Sequence, residues 1–401
     1  MTRPPRAEIP YGAYWTTPFA RWQGSFASLH SVRFAAHVTR AELAKRNIDG
    51  AVFDLGVLGM TIPQHHSFYG VPWFTGMAGM PSLTGPTVSQ ACATGVRCVA
   101  AAVQAIESGD ASAVLTVTCD RNSNGPHLYY PNPRGPGGTG GHEDWVLDNF
   151  SCDPLGEHAM VRTAENVAAK HGITAAEQHE VVLWREEQYQ AALAEGAAFH
   201  RRFMTLPFSV PSPDFRKTVA TLEGDEGVNR STPEGLAKLK PVLAEGTVTF
   251  GSQTHPADAN GGIVIVSPEK APELSQDRKI RVRILGFGQA RAELAYMPEA
   301  PIPAARKALA EAGLEFKDLD AVKTHNPFTV NDIVFARETG FDWRKMNNYG
   351  STLVWGHPNA PMGTRGIIEL IEELATRGGG RGLFSGCAAG DTAMALVLRV
   401  G

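Results

Sequence analysis

The 401-residue chain has few cysteines, no run of positive charge and no long apolar stretch. Its five cysteines, Cys92, Cys98, Cys119, Cys152 and Cys387, are odd in number and irregular in spacing. That argues against a disulfide framework. No CxxC pair occurs, so no metal is expected to be held within the chain. The formal charge is −4 and no Lys/Arg-rich segment stands out, which excludes a nucleic-acid footprint. No apolar run reaches the roughly 18 residues of a membrane span. The opening stretch MTRPPRAEIPYGAYW has no continuous apolar core, so no secretory leader is expected. These absences point to a reducing cytoplasm, with one or two thiols kept for chemistry.

What is there is an ordinary globular mixture, 43% hydrophobic and 19% charged, long enough for two or three domains. RFAAHVTRAELAKRNI has the spacing of an amphipathic helix, and GAVFDLGVL after it reads as a buried strand. The next helix carries VRCVAAAVQAIESG, with Val96, Val99, Ala100, Val103 and Ile106 on one face and Gly109 as its cap. ASAVLTVTCD is an apolar, β-branched run and so another buried strand. Strand, helix, strand in this order predicts an α/β fold.

From residue 121 to 245 the character changes. YPNPRGPGGTGGHEDW is too rich in Pro and Gly for regular structure. Two long helical patterns follow, around GEHAMVRTAENVAAKHG and TAAEQHEVVLWREEQYQAALAEG. The α/β pattern then returns. GTVTFG, GGIVIVS, KIRVRILGFGQA and LDAVKTHN read as strands. PAARKALAEAG is a helix ended by Gly313, and GTRGIIELIEELATRGGG is another helix. GLFSGCAAGDTAMALVLRV reads as a strand, a tight turn and a final strand. The two halves share an element order, which suggests a duplication with a site between them.

Cys92, in SQACATG, stands where a helix begins. A helix N-terminus favours thiolate over thiol, and the thiolate is the nucleophile. Cys98, Cys119 and Cys152 read as core filler. His325 ends the strand DAVKT and opens HNPF. His357 lies in NNYGSTLVWGHPNAPMGTRG, a loop dense in Gly and Pro. Strand ends and such loops are where α/β folds place their sites. His142, His171 and His200 are assigned to surface or loop. Cys387, in SGCAAGD, sits on a Gly-flanked turn whose small neighbours admit a substrate and whose N–H groups suit a developing oxyanion. PRGPGGTGG lacks the GK[ST] of a phosphate loop and reads as a flexible loop.

Taken together, these pieces resemble the thiolase family over nearly the whole chain. SQACATG matches the nucleophile motif. MVRTAENVAAKHGITAAEQHE matches the segment usually written TAENVA…IS/TREEQD. DEGVNRSTPEGLAKLKPVLAEGTVTFG resembles the stretch leading to the CoA site. HNPF stands where the family has NEAF, HEAF or HDCF. GHP matches the histidine motif, and GCAAG stands where CxGGG is usual.

The resemblance implies two βαβαβαββ halves stacked in five layers, α-β-α-β-α, with an inserted loop domain. Residues 1–120 and 246–272 would form the N-terminal half, 121–245 the loop domain on the CoA-binding side, and 273–401 the C-terminal half. It implies an acyl-Cys92 intermediate in the cleavage or formation of a 3-ketoacyl-CoA. His357 would be the base, Cys387 the acid/base at the α-carbon, and His325 an oxyanion partner. The backbone N–H groups of Cys92 and Ala389 would form a second oxyanion site. Met160, Arg230, Thr254 and Phe328 would contact CoA. CoA would be a substrate or product, with no permanently bound cofactor. A homodimer or dimer of dimers is implied.

The chain also departs from the family pattern. GHPNAPMGTRG replaces GHPxGxSG, CAAGD replaces CxGGG, and aromatics crowd VPWFTGMAG and HLYYP. These changes resemble the thiolases of anaerobic aromatic degradation. They imply a bulky or aromatic acyl group, 2-benzoylsuccinyl-CoA for example, and a small zinc-ribbon/OB-fold partner subunit. The alternatives are an acetoacetyl-CoA thiolase and a ketoacyl synthase-like condensing enzyme that uses Cys92, His325 and His357.

Overall fold

A computed structural model describes residues 7–401; MTRPPR, part of the opening stretch read for a leader, lies outside them. The N-terminal half contains β1 (Glu8–Pro10), α1 (Ser31–Lys45), β2 (Leu55–Gly59), α2 (Gly70–Met77), β3 (Thr87–Val88), α3 (Thr94–Ser108) and β4 (Ala113–Arg121). A long excursion carries α4 (Met160–His171) and α5 (Ala175–Arg201) before the chain returns as β5 (Ala257–Val266). The C-terminal half contains β6 (Arg281–Arg291), α6 (Pro301–Ala312), β7 (Ala321–His325), α7 (Thr329–Thr339), α8 (Ala360–Thr376), β8 (Gly380–Ala388) and β9 (Thr392–Val400).

The two halves repeat one pattern. In the first, β4 pairs parallel with β2 and antiparallel with β5, while β3 pairs parallel with β2. In the second, β8 pairs parallel with β7 and antiparallel with β9. A single parallel bridge, Val322 to Met346, stands where β3 would be repeated. β1 joins the two ladders: Glu8 faces Val266 of β5 on one side and Arg283 of β6 on the other. The resulting path is β7-β8-β9-β6-β1-β5-β4-β2-β3.

Helices α3 and α8 run between the half-sheets, α1 and α2 cover the outer face of the first, and α6 and α7 cover the second. This is the five-layer order. The central layer is thin because the helices cross at glycine. A Cβ on Gly95 would lie 2.6 Å from the Thr364 amide and 2.8 Å from the Ala360 carbonyl, so only glycine permits the approach. α3 forms as its pattern predicts. Val96, Val99, Ala100 and Val103 are buried, and Gly109 closes the helix with φ +80°. Each such aliphatic contributes on the order of 1.5–3 kcal/mol by leaving water.

Several local expectations are corrected. GTVTFG is not a strand; Thr249 bridges Pro241 and Phe250–Ser252 make a 3₁₀ turn capped by Thr249. GAVFDLGVL splits into a 3₁₀ turn at Gly50–Val52 and the strand from Leu55. The Pro/Gly-rich run is less irregular than expected, since His127–Tyr130 and Gly141–Asp144 pair as a hairpin around it. Cys152 is exposed rather than core filler.

His200 is the clearest miss. It lies on α5 with 0% exposure, close to Arg365, instead of at the surface. It belongs to a buried ionic cluster under the central layer. Arg365 of α8 binds both Asp225 oxygens, at 2.7 and 2.8 Å, and Glu369 at 2.8 Å. Glu369 also accepts from Lys323 of β7 at 2.7 Å. The Arg365 guanidinium lies over the rings of Phe19 and Trp355, at 4.7 and 4.4 Å. Burial opposes its charge, but Asp225 and Glu369 outweigh that and raise its pKa above the ordinary value.

Candidate active site

The cleft between the halves has a volume of about 590 Å³. The ends of β7 and β8, the turn before α3 and the turn before α8 all reach it. Cys92, His325, His357, Cys387 and Ala389 line it together. Met160, Thr254 and Phe328 line it as well, whereas Arg230 does not. Arg230 is largely exposed and faces Glu187 of α5 at 3.4 Å. The hydroxyl of Thr254 is already engaged, donating to the Thr352 carbonyl at 2.6 Å.

Cys92 sits in a tight turn rather than on the helix. Ala91 before it has φ +44°, the left-handed region that a residue with a Cβ seldom adopts. Thr94, the first residue of α3, ties the turn by receiving the Gln90 N–H and donating to the Ala91 carbonyl, both at 2.7 Å. Ala389 lines the cleft beside Cys92, and its backbone N–H favours the charged form of the sulfur. Sequence position suggested a stabilised thiolate. The structure reverses that: burial pushes the Cys92 thiol up to about 11, beyond what the backbone donors of Ala389 and Cys92 itself recover. At rest Cys92 is a neutral thiol. Alkylation of Cys92 by iodoacetamide should therefore rise about tenfold per pH unit, without a plateau, through about pH 9. A plateau at neutral pH would mean a preformed thiolate.

The two histidines form a pair. His357 Nε2 lies 3.1 Å from His325 Nε2. His325 Nδ1 lies 3.2 Å from the Thr352 hydroxyl, and the Asn359 N–H donates to His357 Nδ1 at 3.2 Å. Burial lowers both rings, His357 to about 4 and His325, which also feels His357, well below the usual value. Both are neutral at physiological pH. With Nδ1 accepting from Asn359, neutral His357 carries its proton on Nε2 and is a donor there. Taking a proton at Nε2 requires the other tautomer, with the Asn359 contact broken. The reactive atoms of Cys92, His325 and His357 lie within 4.8 Å of one another.

Cys387 is not on a turn. It is the penultimate residue of β8, paired with Ala393, and has 0% exposure. Asn331 of α7 donates to its sulfur at 3.3 Å, and burial, with Cys92 beside it, holds the thiol far up. Such a group rests as a neutral thiol that can give a proton, and it can take one only after its own has left.

Sequence reasoning missed Asn331, Asn359, Asn122 and Asp120. Asn122 donates to the carbonyls of Ala257 and His357 and accepts from Asn359, so it fixes the histidine turn from β4's end. Asn331 lies three residues past Phe328 and Asn359 two past His357, so a search outward from the histidines finds both.

The fold and this cleft define a class. The model for the thiolase N-terminal domain matches residues 13–269, and that for the C-terminal domain matches residues 278–400. The chain belongs to the thiolase family and is an acyltransferase of that family. The acetyl-CoA acetyltransferase of Chromobacterium violaceum is 29% identical over 396 residues, covering 98% of this chain and 99% of that one. Acetyl-CoA acetyltransferase 2 of Arabidopsis thaliana is 30% identical over 390 residues, covering 96% and 95%. Among solved structures, human mitochondrial 3-ketoacyl-CoA thiolase in complex with CoA superposes with a TM-score of 0.89 at 25% identity, covering 99% of this chain and 98% of that one. The Bacillus anthracis acetyl-CoA acetyltransferase gives 0.90 at 26% identity over the full length of both chains. No described helix is long and apolar enough to cross a membrane.

Proposed function

We propose that the chain is a thiolase that works through an acyl-Cys92 thioester on a 3-ketoacyl-CoA whose acyl group is larger than acetyl. The observation that carries the chemistry is the convergence of Cys92, His357 and Cys387 in one cleft, with the Ala389 N–H favouring the charged form of the Cys92 sulfur. Cys92 attacks the 3-keto carbon while its proton passes to His357, in the tautomer that holds hydrogen on Nδ1. The Cys92 and Ala389 amides, and the His325–His357 pair on the other side, receive the developing oxyanions. The bond between C2 and C3 breaks, and Cys387 gives its proton to C2 of the departing thioester. The thiol of free CoA then gives its proton to the Cys387 thiolate just formed and takes the acyl group, and His357 returns its proton to the departing Cys92 sulfur. Run backwards, Cys387 removes the C2 proton and the product is a Claisen adduct. Met160 and Phe328 flank the CoA arm, with the 121–245 excursion as the CoA-side domain.

The larger acyl group is supported by the cleft's wall. Ile62, Trp145 and Phe150 all line it, and Phe150 stands edge-on to His357 with ring centroids 6.5 Å apart. The Trp145 indole is pinned to the Thr61 carbonyl at 3.0 Å. Such a wall suits a flat or branched apolar group. The relatives' names lend no support to 2-benzoylsuccinyl-CoA in particular; acetoacetyl-CoA is what those acetyltransferase names favour. A homo-oligomer and a zinc-ribbon partner remain part of the proposal.

Intact-mass measurement after incubation with esters from acetoacetyl-CoA to 2-benzoylsuccinyl-CoA decides among these. The expected result is an adduct on Cys92 whose mass names a bulky acyl group. An acetyl adduct alone would overturn the bulky substrate. No adduct from any ester, with or without a zinc-ribbon partner, would overturn the thiolase chemistry. The His325–His357 pair beside Cys92 also fits a ketoacyl synthase-like enzyme; turnover of malonyl-CoA with loss of carbon dioxide would select it.

A further inference from the structure

At the end of β4, where the cleft begins, a carboxylate is buried without a cation. Asp120 is 2% exposed. Its Oδ1 receives the N–H groups of Thr61 and Ile62, at 2.9 and 3.0 Å. Its Oδ2 receives the Thr61 hydroxyl at 2.8 Å and the Ala360 N–H at 2.9 Å. Three of the four partners are backbone N–H groups, which only donate, so the ionised form fits better than a protonated one. Thr61 and Ile62 belong to the substrate wall, and Thr61 in turn holds Trp145. Ala360 is the first residue of α8, and the residue before it, Asn359, places its own N–H on His357 Nδ1. Asn359 has φ +57° and ψ −106°, outside the left-handed region that asparagine tolerates.

We propose that Asp120 is a positioning residue: its two oxygens fasten the substrate wall to the backbone of the His357–Asn359 turn, so that the His357 ring is held beside Cys92, in either tautomer, only while the carboxylate is ionised. The inference rests on the reading of His357 and Cys92 as the reacting pair. Oδ1 serves the wall alone, whereas Oδ2 serves the turn and also the Thr61 hydroxyl. That division separates the two effects. In Asp120→Asn the amide oxygen can still take the Thr61 and Ile62 N–H groups, and the amide nitrogen can donate to the Thr61 hydroxyl. The same nitrogen faces the Ala360 N–H, donor against donor, and the link to the turn is lost. Protonation of Oδ2 weakens the same link in the native protein, because an acid hydroxyl is a far poorer acceptor than a carboxylate oxygen. Burial raises this carboxyl to about 7, with the Ala360, Ile62 and Thr61 donors pulling the other way. The titratable groups on the elements packed around it are Cys92 and His357 in the cleft, Cys98 on α3, Cys119 and Arg121 on β4, Asp258 on β5 and Arg365 on α8. Of these, Arg121 donates to Leu29 and Asn124, and Arg365 is taken up by Asp225 and Glu369, so neither neutralises Asp120.

The test is the pH dependence of turnover with the ester that acylates Cys92, for the native protein and for Asp120→Asn, together with amide exchange over residues 357–363. The native kcat should fall on the acid side of neutrality. The variant should lose that limb and stay about tenfold lower across the range, with KM within about twofold because the wall contacts survive. Exchange over 357–363 should quicken in the variant and, for the native protein, as pH falls after correction for the intrinsic rate. A variant that keeps the native kcat and the native acid limb would overturn the proposal, as would unchanged exchange in the turn. The exchange measurement needs no activity. If the thiolase reading failed, it would still report whether Asp120 holds the turn.

Discussion

Cys92→Ser leaves the fold intact and removes turnover. The hydroxyl occupies the same turn, held by Thr94 and beside Ala389. It lacks the nucleophilicity of sulfur, and the neighbouring imidazoles are too weakly basic in their buried setting to activate it. His357 is held near 4 by burial, so it cannot carry an alkoxide's proton for long. The expected loss in kcat is about 10⁴-fold or more, with no covalent adduct in intact-mass spectra and with CoA still bound. A serine variant that still accumulated an acyl ester would show that the cleft, rather than the thiol, supplies most of the acceleration. The comparison is informative because Cys92 starts as a thiol: the native enzyme and the variant both begin neutral, so the difference reports the attack itself.

Arg365→Met is expected to be the most destabilising single change. Asp225 would keep its bonds from the Phe19 N–H and the Tyr189 hydroxyl, and Glu369 would keep Lys323, but two carboxylates would be left in a dry interior with one cation between them. Breaking one partner out of a buried ion pair costs about 3–5 kcal/mol. Here the Phe19 and Trp355 faces lose their cation as well. Denaturant unfolding of the variant measures the loss directly. Adding Asp225→Asn to Arg365→Met should restore much of it, because Glu369 keeps Lys323 and Asp225 is the carboxylate left without a cation. If Arg365→Met alone changed stability by less than about 1 kcal/mol, the cluster would have to be wetter than its complete burial implies. Linkage gives the sign with pH. Burial works against ionising Asp225, but Arg365 prevails and holds its carboxyl below the ordinary value. Its contribution is present above the unfolded pKa and disappears as pH falls through the lowered one.

The helices and strands of the two halves were legible because one face of each is apolar at the right period. α3 and β4 are the plainest cases. Errors fell where tertiary contacts override local pattern. GTVTFG has strand composition, but no neighbouring ladder extends to it, and Thr249 caps a turn instead. His200 looked like a surface residue because it sits beside Arg201 and Arg202; the helix breaks at Ala194–Ala197, and past that break His200 turns back onto Tyr189 and a buried guanidinium that lies far along the chain. Of the candidate site, the residues that the cleft brings together were legible, since Cys92, His325, His357 and Cys387 sit in short motifs whose chemistry restricts their type. The residues that hold them were not. Asp120 works by receiving backbone N–H groups, and any residue but proline can supply those, so its partners leave no trace in the sequence. The state of the nucleophile was also out of reach. Helix position argued for a thiolate, whereas the depth of the cleft decides for a thiol.

The place of β1 has a consequence for how the chain is made. Glu8, Ile9 and Pro10 bond β6 on one edge, and Glu8 meets β5 on the other, while Tyr14–Thr16 pairs with β5 as well. None of these partners has been synthesised when β1 leaves the ribosome. The earliest strand is thus among the last to find its ladder, and Ile9, Tyr14 and Trp15, all buried in the finished protein, stay uncovered through most of translation. Glu8, whose carboxylate is closed in by Arg281 and Arg283 only at the end, keeps a charge on that apolar stretch in the meantime. A nascent chain stalled before residue 257 should therefore be the form most in need of a chaperone.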